Sequence, residues 1–296
     1  MKKHFILFTL FISVLNFSQN LKKEILKITK DKNATVAVSV NGIDFPYEFN
    51  NENADKKLPM LSVFKFHIAA AVLNEVDHGK LKLDQKIPLK KSDLLENTHS
   101  PLRDKYPNAN VELTVDEIIK YTVAQSDNNG CDILLRLIGG TQTVQKFMDS
   151  KGIKNFQIKY NEEWMHKGKE YLYPNYTTVK SLSLLYKSFF EKKILSEKST
   201  AYLMNIMLGT TTGANKLKEQ LPAGTAIAHK TGSSGKDGNL TIAENDSGII
   251  TLPDGKHYAI TVFVIDSTES EAVNTKMISD ISKKVWDHFN LTHKNK

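Results

Sequence analysis

The stretch PMLSVFKFHIAAAVL, residues 59–73, has almost no polar stripe: Val63, Phe64, Phe66, Ile68, Ala69, Ala70, Ala71, Val72 and Leu73 crowd every side. A helix that is apolar nearly all round belongs in an interior. Two residues disturb it. Ser62 opens the run, and Lys65 follows three residues later, one turn along on the same face. An ammonium is costly to bury, and a common outcome is a lysine that can give up its proton. Next to a serine, such a lysine is a base beside a nucleophile.

Outward from this helix, the patterns are of two kinds. ATVAVSVNG (34–42) alternates like a short strand, whereas from Ser62 to about Leu208 the signals are mainly helical. Thr114-Val-Asp-Glu117 is a capping box opening DEIIKYTVA, and Thr178 and Ser196 precede the amphipathic runs VKSLSLLYKSFF and STAYLMNIM. Strand patterns return in TAIAHKT (225–231), SGIITL (247–252) and, after a Pro-Asp-Gly turn, HYAITVFVID (257–266); a final helix contains ISDISKKVWDHF. Strands at both ends and helices between predict an α+β fold: one antiparallel sheet flanked by N- and C-terminal helices, with an all-helical lobe inserted. The expected division is an α/β lobe from 19–60 and 209–296, and a helical lobe over 61–208. YNEEWMHKGKEYLYPNYTT (160–178) is long for a structureless loop in a compact protein and marks a functional segment.

The first residues, MKKHFILFTLFISVLNFSQN, have a basic start, an apolar stretch from Phe5 to Phe17 and small or polar residues near Ser18. This is the anatomy of a signal peptide over 1–18, too short for a membrane span. It predicts an exported, periplasmic protein without a membrane anchor. Cys131 is the only cysteine, so no internal disulfide forms, and in CDILLRLIGG it reads as a small core residue. The net charge of +7 comes from scattered lysine pairs rather than a basic stripe with aromatics, so no nucleic-acid partner is expected. Arg103 and Arg136 are the only arginines. The nine histidines show no H-x-H-x-D or H-E-x-x-H spacing, so neither a metal nor another cofactor is implied.

Ser62-Val-Phe-Lys65 is weak by itself, because about two chance S-x-x-K matches are expected in so lysine-rich a chain. Ser233-Ser-Gly-Lys236 is another, but only Ser62 opens a buried helix, whose positive end can help stabilise an oxyanion. Ser126-Asp127-Asn128 follows a helix; alone it reads as a polar turn, or as a hydroxyl that relays a proton beside an amide that holds a carbonyl. Lys230-Thr231-Gly232 falls in a strand pattern, with cationic and hydroxyl contacts for a carboxylate and a glycine that lets a ligand approach. GSSGKDG lacks the spacing of a phosphate loop.

In this order the three form the S-x-x-K, S-D-N and K-T-G set of class A β-lactamases and penicillin-binding proteins. The whole mature chain resembles the class A serine β-lactamases, and the PER/VEB-type extended-spectrum subgroup in SDNNGCDILLRLIGG, NEEWMH and AHKTGSSG. The resemblance implies the fold shared by serine β-lactamases and penicillin-binding transpeptidases, with a monomer as the family norm. It also implies small β-lactam substrates, cephalosporins among them, and antibiotic resistance as the consequence. Ser62 becomes the acylated nucleophile, Lys65 its base or relay, and Ser126 the proton donor to the lactam nitrogen. Asn128 holds the substrate amide; Lys230, Thr231, Gly232 and Ser233 bind the carboxylate side, with the N–H groups of Ser62 and Ser233 as oxyanion hole. Glu162 in the Ω-loop (160–178) activates the deacylating water, with Glu163 the competing choice, and the acylation base is left open between Lys65 and Glu162.

Two departures from the general family pattern stand out. His166 replaces an asparagine, as it does in the subgroup, and is expected to organise the Ω-loop together with Asp132. Lys216 stands where the subgroup carries a carboxylate-binding arginine, and it cannot supply arginine's planar fork. A penicillin-binding DD-carboxypeptidase or a non-hydrolytic β-lactam sensor could carry the same three motifs; Glu162 argues against the first, and the want of a membrane segment beyond the signal against the second.

Overall fold

The structure, a computed structural model, describes residues 21–294; the signal segment expected over 1–18 lies outside the described residues. Its frame is an antiparallel sheet. Strands β1 (Thr35–Gly42) and β2 (Glu48–Asn50) lie at one side, and β8 (Ile227–Ser233) at the other. The long β10 (Leu240–Thr251) and β11 (His257–Ser267) run between them, in the order β2-β1-β11-β10-β8, and the short β9 (Lys236–Asp237) also pairs with β10.

Alternation along the strands divides the core in two. Val36, Val38 and Val40 of β1, with Tyr258, Ile260, Val262 and Val264 of β11, pack on one face against helix α1 (21–29) and helix α10 (Glu271–Lys294) through Leu21, Ile25, Ile281, Val285 and Phe289. The other face, including Ala37, Ala259 and Phe263, joins a larger core built around α2 (Phe64–Asp77). Every residue of α2 from Phe64 to Leu73 is buried, as its apolar circumference requires. Around it lie α4 (Val115–Ala124), α5 (Asn128–Leu137), α6 (Thr141–Ser150) and α9 (Glu197–Leu208), while α8 (Val179–Phe190) packs on β1 and β11. The capping box is present: Thr114 Oγ1 accepts from the Glu117 N–H, and Glu117 reaches back to the Thr114 N–H.

The middle of the chain is less purely helical than its periodicity predicts. β4 (Lys86–Leu89) and β5 (Val111–Thr114) form a two-stranded antiparallel sheet, and the two-residue strands β3 (Leu58–Pro59), β6 (Phe156–Gln157) and β7 (Tyr176–Thr177) form another small sheet. Nor is 160–178 structureless, since it contains the helical turn α7 (Glu162–Met165), a 3-10 turn at Lys169–Tyr171 and β7. β10 starts at Leu240, seven residues before the strand pattern, because Glu244, Asn245 and Asp246 are polar residues buried with partners. No helix among the described residues is long and apolar enough to cross a membrane.

Candidate active site

Ser62 sits in a 3-10 turn, Leu61–Val63, one step before α2 and not inside it. The turn is fastened from two sides. Asn245 Nδ2 donates to the carbonyls of Pro59 (2.9 Å) and Met60 (3.2 Å), and the Met60 N–H donates to the Asn175 carbonyl (2.9 Å). Leu61, immediately before the serine, takes the left-handed conformation with φ 48°. Such strain persists only where surrounding bonds over-determine it.

Lys65 lies one turn along and is fully buried. Its Nζ donates to Ser62 Oγ at 2.7 Å, to Asn128 Oδ1 at 2.6 Å and to Glu162 Oε1. An ammonium carries three protons, and three acceptors meet them. The lysine that the sequence places beside Ser62 as a base thus also forms an ion pair, with a carboxylate drawn in from the Ω-loop.

That carboxylate is positioned by helix capping. Asn161 caps α7, its Oδ1 accepting from the Trp164 N–H at 3.1 Å, and Glu162 follows with its side chain turned inward and buried. Glu163 is exposed and pairs instead with Lys167 at 3.5 Å, which separates the two neighbouring glutamates. Asp132 of α5 holds the turn from below. Its Oδ1 accepts the Glu162 N–H (2.8 Å), and its Oδ2 accepts the Glu163 N–H (2.9 Å) and Asn161 Nδ2 (3.0 Å). Burial, with the Glu162 charge close by, pushes the Asp132 carboxyl up to about 7. The partners of Asp132 are therefore Asn161, Glu162 and Glu163; His166 is exposed at the end of α7, where its N–H donates to the Glu162 carbonyl (2.9 Å).

Ser126 and Asn128 flank Asp127, which is fully buried. Asp127 caps α5 through the Gly130 N–H (2.7 Å) and accepts from Ser100 Oγ and the Leu102 N–H. This leaves Ser126, at φ 60°, and Asn128 projecting on either side of an anchored corner. Asn128 Nδ2 donates to Thr98 Oγ1 at 2.6 Å. Lys230 Nζ donates to Ser126 Oγ and to the Thr231 carbonyl, both at 2.9 Å. Its burial first, then the Lys65 and Lys216 cations, hold the Lys230 ammonium well below the usual lysine range.

β8 is the edge strand beside Ser62. A Cβ built on Gly232 would lie 2.5 Å from the Met60 carbonyl oxygen and 3.2 Å from the Ser62 nitrogen, so only glycine permits this approach. The Ser234 N–H bonds the Ala243 carbonyl at 3.0 Å; by alternation the Ser233 N–H points the other way, towards Ser62. Thr231 Oγ1 lies 2.6 Å from Thr212 Oγ1. Lys216 is buried, its ammonium held by the Glu244 carboxylate and the Asn245 carbonyl (3.2 Å).

Beside these residues opens a cavity of about 320 Å³ whose wall includes Ser62, Thr98, Asn128, Glu162, His166 and Ser233. The arrangement can draw a proton from Ser62 Oγ along Lys65 to Glu162, deliver one from Ser126, and offer backbone donors to a developing oxyanion. Thr98, Thr212, Asn175, Glu244 and Asn245 support it and were not singled out from sequence. They carry no motif, and only the polar run Glu244-Asn245-Asp246 inside an apolar strand could have signalled buried partners.

Comparisons with known proteins identify the family. The model of the β-lactamase enzyme family matches residues 20–289. The chain is 42% identical to β-lactamase VEB-1 of Pseudomonas aeruginosa over 296 residues, 96% of each chain. It is 41% identical to the extended-spectrum β-lactamase PER-1 of the same organism, over 90% of this chain and 86% of that one. The crystal structure of TLA-3 extended-spectrum β-lactamase superposes with a TM-score of 0.90 at 50% identity, covering 92% of this chain and 99% of that chain. The chain belongs to the β-lactamase enzyme family and, within it, to the class A serine β-lactamases.

Proposed function

We propose that the β-lactam hydrolysis to which family membership commits this chain runs through an acyl-enzyme on Ser62, with Glu162 driving its release. Ser62 Oγ attacks the lactam carbonyl carbon, and its proton leaves along the Lys65–Glu162 pair. Because Lys65 already spends its three protons on three acceptors, it can take the serine's proton only by passing one to Glu162; the proton ends on Glu162 either way. The Ser62 and Ser233 N–H groups hold the oxyanion. As the C–N bond breaks, Ser126 gives its proton to the nitrogen and is resupplied by Lys230 Nζ. The proton held by Glu162 returns by way of Lys65 to replace the one Lys230 gave, which restores the Glu162 carboxylate; it then takes a proton from water, the water oxygen attacks the ester carbonyl, and Ser62 Oγ leaves with that proton. The sum is one water added across the amide.

The observation that carries this reading is the Ser62–Lys65–Glu162 chain of hydrogen bonds, which a DD-carboxypeptidase or a sensor would not need. Asn128 holds the substrate amide; Lys230, Thr231 and Ser233 face its carboxylate; His166 lines the Ω-loop side of the cavity. Cephalosporins with bulky side chains are the expected substrates, supported by the extended-spectrum names of PER-1 and TLA-3 and by Ser233, Ser234 and Gly235 at the cavity rim. The basic start and the apolar stretch Phe5–Phe17 support export to the periplasm, with cleavage near Ser18, and the protein acts there as a monomer. Hydrolysis of a chromogenic cephalosporin by the purified mature protein, and its loss in Ser62→Ala, tests the reading; negligible turnover of cephalosporins beside efficient turnover of penicillins would refute the substrate range.

A further inference from the structure

Glu244 of β10 stands directly opposite Ser233 of β8. The neighbouring pair, Ser234 and Ala243, makes the ladder hydrogen bond, so Glu244 and Ser233 form the closer, non-bonded kind of cross-strand pair. Ser233 Oγ donates to Glu244 Oε2 at 2.8 Å, while Glu244 Oε1 holds the Lys216 ammonium. Glu244 is 3% and Lys216 5% exposed, so both charges lie behind the strand edge.

Two consequences follow for an anion reaching this edge. An ionised carboxylate only accepts, so the Ser233 hydroxyl spends its proton on Glu244 and turns lone pairs towards the cavity. The Lys216 charge is cancelled where it stands, since a buried ammonium needs a partner. That leaves Lys230, fully buried and bonded to Ser126 Oγ and the Thr231 carbonyl, as the strand's own cation, with no carboxylate among the described residues bonded to it.

We propose that Glu244 is a positioning residue that sets substrate affinity: it masks Lys216 and retains the Ser233 proton, and so weakens binding through the substrate carboxylate. This rests on the carboxylate-binding role given above to the Lys230–Ser233 segment. Glu244 touches no reacting atom and acts only through Lys216 and Ser233.

The test is a charge cycle on a chromogenic cephalosporin with wild type, Glu244→Gln, Lys216→Met and the double variant. Glu244→Gln lowers KM about fivefold, because it removes a negative charge near the bound carboxylate, and kcat changes less than KM. Lys216→Met, which strands that charge, raises KM more than about tenfold, and adding Glu244→Gln recovers most of the loss. With the substrate carboxylate blocked as an ester, the effect of Glu244→Gln on KM vanishes. KM of Glu244→Gln also rises more steeply with salt than that of wild type, as a newly unmasked cation is screened. An unchanged or raised KM in Glu244→Gln, or equal salt slopes, overturns the proposal even if Lys216→Met does not fold. A double variant that binds as poorly as Lys216→Met overturns it too, since Lys216 would then contact the carboxylate itself. Failure of the hydrolase reading shows separately, as absent wild-type turnover; the same ordering is then read on acylation rates by intact mass.

Discussion

Asp132 Oδ1 accepts the backbone N–H of Glu162 at 2.8 Å, so a carboxylate on α5 fixes where the Ω-loop carries its own carboxylate. Removing it should cost both geometry and stability. Asp132→Ala loses acceptors for Glu162, Glu163 and Asn161, and the expected destabilisation is roughly 3 kcal/mol. Turnover should fall about 100-fold through the displaced glutamate, with acyl-enzyme accumulating. Rapid-quench mass spectrometry with urea melts checks this, and a variant with wild-type kcat would contradict it.

Gly232 is the narrowest point between β8 and the Ser62 turn. In Gly232→Ala the new Cβ meets a backbone oxygen at 2.5 Å, so the strand must move away from Ser62. We expect kcat/KM to drop at least about tenfold, corresponding to ~1.4 kcal/mol of transition-state stabilisation. The folded fraction at room temperature should be unaffected. Steady-state kinetics beside circular dichroism decides.

His67 gives the protein an acid limit. It is fully buried, stacked on Phe156 at 4.5 Å between ring centroids, and burial pushes its imidazole down to about 3. In the unfolded chain it binds a proton near its ordinary value of 6.5. Between those values the unfolded state holds the extra proton, so this contribution to stability is present above 6.5 and lost as the pH falls. The slope is about 1.4 kcal/mol per pH unit, levelling off below about pH 3. His67→Phe does not titrate, so between about pH 7 and about pH 5 it should gain roughly 2 kcal/mol relative to wild type. Taking the difference cancels Asp132, whose raised value acts with the opposite sign. A pH-independent difference in urea melts would count against a buried neutral histidine.

Cys131 should be inert in the folded protein. It is buried in α5, and desolvation raises its thiol well above the ordinary range. A thiol-reactive dye should label it only after denaturation, with an unfolding-limited rate; prompt labelling would mean that α5 opens locally.

Much of this was legible before any fold. Ser62, Lys65, Ser126, Asn128 and the Lys230–Ser233 strand stand in motifs, and the all-round apolar α2 announces the core. What escaped depends on partners distant in sequence. Strands of two residues such as β3, β6 and β7 cannot show a period. The first half of β10 looks unlike a strand because Glu244, Asn245 and Asp246 are polar, and each is buried only because Lys216, the Pro59 carbonyl or His229 awaits it. Lys216 was legible as a cation near the site, but the carboxylate that masks it was not. His166 was legible as a departure, whereas Asn175, which accepts from the Lys159 and Tyr160 N–H groups and so pins the start of the Ω-loop, stands in no motif.

Acylation of Ser62 and its release by Glu162 are two steps that mass separates. Intact-mass time courses with a chromogenic cephalosporin, on wild type, Ser62→Ala and Glu162→Ala, address them directly. We expect steady turnover without a lasting adduct in wild type, neither turnover nor adduct in Ser62→Ala, and a persistent adduct on Ser62 in Glu162→Ala. A wild-type adduct that never clears, or a Glu162→Ala variant that turns over freely, would contradict these roles.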